Sequence, residues 1–226
     1  MERFEGFADD QGKFFRALVK NQNRDWFQAH KAEFEEGWNG PLKALVTELR
    51  EAIDGHYPHC DLGEPKIFRI FRDVRFSKDK SPYKTHIGGY IPTKRAAAKG
   101  SPPAALYVHV GTERFAAAGH YMMEGPDLAR YRKAVEDDTK GKELVKILAT
   151  LKKKGHVIES HGEFKRVPKG VDPAHPRADL LKYKGLVATF PAFPKGLITT
   201  RKLVDWLVVR SKEVAPFVEW LVFATA

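Results

Sequence analysis

A chain of 226 residues with 42% hydrophobic and 12% aromatic content is long enough to bury a sizeable core without covalent staples. Its lone cysteine, Cys60, excludes an internal disulfide framework, and even the longest apolar stretch, 203–226, carries too many charges to span a membrane. The net charge of +10 is uneven: residues 1–65 are acidic overall, while 66–100 and 140–170 hold most of the positive excess, the pattern expected of partners bearing phosphate, nucleic acid or acidic groups.

The opening MERFEGFADDQGKFF has neither the basic start nor the apolar run of a signal peptide, so a cytoplasmic location is expected. Asp9 or Asp10 is placed to cap a first helix carrying Phe14, Phe15 and Leu18, and Asn23 a second carrying Trp26, Phe27, His30 and Phe34. Pro41 then opens the clearest amphipathic stripe in the chain, Leu42, Leu45, Val46, Leu49 and Ile53. Residues 56–65 read as a loop, and their His56, His59 and Cys60 have no second cluster of matching spacing elsewhere in the chain to complete a tetrahedral zinc site.

Residues 66–76, KIFRIFRDVRF, fit strand and helix periodicity equally; aromatic and β-branched enrichment favours strand, with Phe68, Phe71 and Phe76 expected in the core. Ser77–Tyr83 is a loop. A second strand is expected over Lys84–Ile91, with Gly88 and Gly89 marking a bulge or a close backbone approach. Pro92–Pro103 reads as an exposed basic connection, and 105–110 with 114–121 as a hairpin.

Pro126 opens a helix with Leu128, Tyr131 and Val135. Another carries Leu144, Val145, Leu148 and Leu151 and ends in a basic turn followed by glycine. Short strands near 156–159 and 163–167, a short helix at 177–182, a strand at 186–190 and two closing helices broken near Pro216 complete the reading. The expectation is one α+β domain over 1–226: N-terminal helices, a central mixed or antiparallel sheet and C-terminal helices.

Nucleotide-loop, dinucleotide, zinc-protease and serine-elbow motifs are all missing, and no cofactor is expected. His86, His109 and His120 fall on three predicted strands where convergence would make a metal site. Cross-strand register is not readable from one chain, and no metal is assigned.

One segment stands apart: Arg69, Arg72, Asp73, Arg75 and Phe76, followed by Asp79, Lys80 and Tyr83 and then Lys84 and His86. The arrangement R-x-x-R-D-x-R-F with D-K-x-x-Y close behind resembles the hallmark of a widespread bacterial family catalogued as a domain of unknown function, DUF 2461. The similarity extends through NQNRDWFQAHK (21–31) and PKGVDPAHPRADLL (168–181). It names a family and implies no mechanism.

Read chemically, Arg69, Arg72, Arg75, Lys80 and Lys84 supply donors for a small phosphate- or carboxylate-bearing ligand. Asp73, Asp79, Tyr83 and His86 are the candidate proton-transfer groups, and Asp73 is placed to accept from both Arg69 and Arg75 on one strand face. Two alternatives stand beside this reading. The basic segments 66–100 and 140–170 could bind nucleic acid, or the arginines and aspartates could form an internal ion network in a protein-interaction module.

Overall fold

The structure, a computed structural model, describes residues 3–94 and 104–225. Six strands form one antiparallel sheet: β1 (Lys66–Ile67), β2 (His86–Pro92), β3 (Ala105–Gly111), β4 (Arg114–His120), β5 (Val157–Glu159) and β6 (Leu186–Thr189), in spatial order β1-β2-β3-β4-β6-β5. The expected hairpin is β3–β4, with His109 opposite Phe115 and Tyr107 opposite Ala117. Antiparallel pairing lets such a sheet cover one face and leave the other to solvent; here the opposite face carries the half-buried His86, Tyr90, Tyr107 and Phe115, while His109, Ala117 and Val187 on it are buried. Ile87, Gly89, Ile91, Leu106, Val108 and Val110 lie on the covered face.

Helices supply the cover. α1 (Lys13–Lys20), α2 (Arg24–Ala29) and α3 (Lys31–Phe34) lead through a π-turn at Glu35–Asn39 into α4 (Gly40–Ile53), whose Leu42 and Val46 pack against Gly89. Asn23 caps α2 by accepting from the Trp26 N–H, as its residue type predicts. Asp9 accepts from the Gln11 and Lys13 N–H groups just ahead of α1, while Asp10 turns away to pair with Arg114. After the hairpin come α5 (Gly125–Glu136), α6 (Asp138–Lys153), α7 (Ala178–Lys182) and α8 (Lys202–Ala224). α8 packs on β4, α4 and α6, so the C-terminal helix lies at the centre of the helical layer. No helix among the described residues is long and apolar enough to cross a membrane.

Several local expectations are corrected. The closing helices are one helix: Pro216 lies inside α8, held in a continuous rod because Leu207, Val214, Phe217, Val218 and Leu221 bury on both sides of it. The strand at 163–167 shrinks to a single bridge, Glu163 to Tyr183, and Val145 faces solvent beside the buried Leu144. Gly88 and Gly89, expected at a bulge or a close backbone approach, mark close approach in a regularly paired strand, as the second alternative had it. The largest difference is at 66–76, where only Lys66–Ile67 joins the sheet. Beyond Phe68 the chain forms an irregular hairpin with residues 82–84, through Arg72 N–H to Pro82 O, Lys84 N–H to Ile70 O and a Phe71–Tyr83 bridge. That hairpin leaves the sheet and packs Tyr83 on Phe27 of α2, with Gln22 accepting from the Tyr83 N–H. Ile70 and Tyr83 therefore go inward, and Phe68, Phe71 and Phe76 stay 46%, 49% and 96% exposed. Most of the basic connection, residues 95–103, lies outside the described residues.

Candidate functional site

The hairpin places the hallmark residues in two groups. At its tip the charges satisfy one another. Arg72 donates to Asp79 and to the Ser81 carbonyl, and Asp79 also accepts from the Ser81 N–H and hydroxyl. The Ser81 bonds first, and then Arg72, hold the Asp79 carboxyl down to about 2. Arg75 grips Asp73 through Nε and Nη2, the latter at 2.7 Å, and this lowers the Asp73 pKa. Lys80 donates to the Val74 carbonyl at 2.9 Å. Asp73 thus holds Arg75 alone, without the shared bond to Arg69 that a regular strand would have allowed. Both aspartates are ionised acceptors occupied by the loop itself, which suits them to orient arginines and not to take up protons.

Tyr83, expected as a proton donor, is only 3% exposed. Its ring stacks on Phe27 at 4.4 Å and leans on Phe71, while its N–H donates to Gln22 Oε1. It anchors the hairpin to α2, and burial withholds it from a ligand at the surface.

At the base of the hairpin the picture changes. Among the described residues, the exposed Arg69 guanidinium makes no hydrogen bond or ion pair. Lys84 Nζ donates to the Arg69 carbonyl at 2.9 Å and lies 5.3 Å from the Phe68 ring centroid. Partial burial, then the nearby Arg69 charge, lowers the Lys84 pKa. Two residues on, His86 enters β2 on the solvent-facing side of the sheet. Its pKa is lowered by burial and by Lys84, with Glu113 opposing.

His86 meets two residues that sequence reasoning did not assign. Gly88 is opposite His109 in the β2–β3 register, which puts His86 diagonally beside it; their rings stack at 4.0 Å. His109 stacks in turn on Phe115 at 4.6 Å, and its Nδ1 lies 2.9 Å from the Tyr107 hydroxyl. Burial, then His86, pushes His109 down to about 3, so its imidazole is neutral at physiological pH. Burial, with Tyr121 nearby, pushes Tyr107 up to about 12, so its hydroxyl keeps its proton. Phe68 stacks on Tyr90 at 5.1 Å and abuts Tyr107 edge-on, extending the aromatic patch to the sheet edge.

The lack of a side chain at Gly88 makes this possible: a Cβ there would lie 2.4 Å from the Tyr107 oxygen. Two signals pointed here: the Tyr107-x-His109 alternation on a strand, and the three strand histidines, of which His86 and His109 do meet. The third strand histidine, His120, is on the covered face with Ala116 and Ala118. No three metal-ligating side chains gather among the described residues.

Chemically, the base of the hairpin offers two cations that form no ion pair among the described residues, a half-buried imidazole, and behind it a second imidazole fixed by a tyrosine. That set can hold an anion and move a proton beside it. No curated protein and no solved structure matches the chain. A family model described as "Conserved hypothetical protein (DUF2461)" matches residues 11–220, which takes in the hairpin, all six strands and most of α8, and the chain belongs to that family.

Proposed function

We propose that the solvent-facing side of the sheet binds a small phosphate- or carboxylate-bearing ligand, with Arg69 and Lys84 as its cationic holders and His86 as the proton-handling group. The observation that carries this reading is the Arg69 guanidinium, which makes no hydrogen bond or ion pair among the described residues, has Asp73 only beyond ion-pair distance, and lies next to a lysine whose charge it disfavours. Like charges held together are relieved by an anion between them, and desolvation strengthens the attraction. His86 accepts or returns a proton, while His109 and Tyr107 position it. The tip residues Arg72, Arg75, Lys80, Asp73 and Asp79 act as a brace that fixes the hairpin, as the internal-network reading supposed. A cytoplasmic setting belongs to the same reading.

Thermal-shift measurements with inorganic phosphate, pyrophosphate and citrate test it. A ligand that favours the native state raises Tm. The shift is expected in the wild type and in Arg75→Gln, and is lost in Arg69→Gln and Lys84→Gln. Bound anion also raises the His86 pKa, read by NMR titration of its ring. No shift with any anion, or an equal shift in Arg69→Gln, refutes the site.

The exposed phenylalanines favour a second reading. Phe68 has Lys84 over its ring, and Arg75 lies 5.8 Å from the Phe76 centroid. Exposed rings beside cations are the elements of a single-strand nucleic-acid platform. That reading requires fluorescently labelled oligonucleotides to bind with a steep salt dependence and to lose affinity in Phe76→Ala.

A further inference from the structure

A cavity of about 330 Å³, lined by no residue of the hairpin, opens between the first turns of α6 and the last turns of α8. The volume falls within the range of small-molecule sites. Ile147, Trp220 and Phe223 form its apolar part, and Phe223 is 57% exposed at the surface. The polar lining has the opposite sign to the rest of this basic chain: Glu143 and Glu219 face a single ammonium, Lys140. One Glu219 oxygen accepts from the His59 N–H at 2.8 Å, which fixes the carboxylate at the wall. Neither glutamate is paired with a lysine or arginine among the described residues. The closing turn of α8, at Phe223 and Ala224, also lines the space, and Arg130 Nε closes it by donating to the Thr225 carbonyl at 2.9 Å. Trp220 is held in place by donation of its indole N–H to the Lys140 carbonyl at 3.1 Å.

We propose that this cavity is a separate ligand site, for an organic cation in which a protonated amine is carried on a short apolar or aryl body. The apolar body fills the space between Ile147 and Phe223, and the ammonium lies toward Glu219 and Glu143. Aromatic faces beside the carboxylates add attraction for a cation and none for an anion. The site is independent of the anion site on the sheet.

The test uses the full chain and three probes of one shape: phenethylammonium, phenethyl alcohol and phenylacetate. The readout is the Trp220 indole N–H resonance, assigned by its loss in Trp220→Phe. Phenethylammonium is expected to move it saturably, with the alcohol weaker and phenylacetate weakest. Glu143→Gln and Glu219→Gln each weaken the ammonium roughly two- to fivefold, the size of one solvent-accessible ion pair. Glu219→Gln keeps an oxygen for the His59 N–H, so the wall is preserved. Lys140→Gln, on the surface, tightens binding by a similar factor and guards against a folding artefact in the glutamate variants. Equal binding of ammonium and carboxylate, no saturable shift with any probe, or indifference to all three charge substitutions overturns the proposal.

Discussion

His109 is where a single side chain sets a property of the whole protein. Its folded pKa of about 3 lies well below the 6.5 of a free imidazole, so between those values the unfolded chain binds a proton that the folded chain excludes. The contribution to stability is complete above about pH 6.5 and is lost as pH falls toward 3, by on the order of 4 kcal/mol across the window. Urea denaturation at pH 7, 5.5 and 4 measures the slope, and His109→Asn should flatten it. Gly88→Ala tests the packing that places this ring. The added carbon would overlap the Tyr107 ring, so the tyrosine must swing away from His109, at about 1–3 kcal/mol. The loss is measurable by denaturation and by a shift of the His109 ring signals. At this scale Arg69, Lys84 and His86 were legible because charge and motif mark them within one short segment. Tyr107 and His109 were not, since their meeting with His86 depends on strand register, which residues far apart in the chain decide together.

Among the elements, α8 shows how tertiary burial overrides a local stop signal. Proline has no N–H, and here it leaves the Lys212 carbonyl without its usual helical donor. Pro216→Ala restores that bond and should stabilise the protein by about 1 kcal/mol, partly offset by the freer unfolded chain. Chemical denaturation gives the difference, and a destabilised variant would mean that the helix is built around the proline. The hairpin at 68–84 is the reverse case. Its alternating phenylalanines and arginines match a strand, but a strand pairs only where a neighbour reaches it. β2 begins at His86, so beyond Phe68 the pairing thins to the Phe71–Tyr83 bridge and two backbone bonds, and the salt bridges at the tip add to it.

For the whole molecule, the buried apolar side chains form a contiguous cluster running from Phe4 and Trp38 through the covered sheet face to α8, and a few buried polar groups tie its far end together. Arg177, 5% exposed and within the family-like stretch 168–181, donates through Nε to the Val135 carbonyl at 2.6 Å and through Nη2 to the Glu136 carbonyl and Asp138. It thereby closes the end of α5 against the start of α6. Arg177→Met leaves those carbonyls without donors and should cost about 2–4 kcal/mol in urea denaturation, with an unchanged dependence on denaturant. A cost below about 0.5 kcal/mol, typical of surface substitutions, would show that the bonds are replaced by water.

The order of the helices up to the C-terminal one, most of their amphipathic faces, the β3–β4 hairpin, the Asn23 cap and the family hallmark were all written in the chain itself. Each rests on residues within a few positions of one another, so periodicity and capping chemistry suffice to read them. Tertiary structure alone decided that Phe68, Phe71 and Phe76 face solvent, that Tyr83 is buried, that α8 passes through its proline, and that two histidines and a tyrosine from neighbouring strands share one face. Those outcomes depend on which surfaces remain to be covered after distant segments have packed, and no local pattern carries that information.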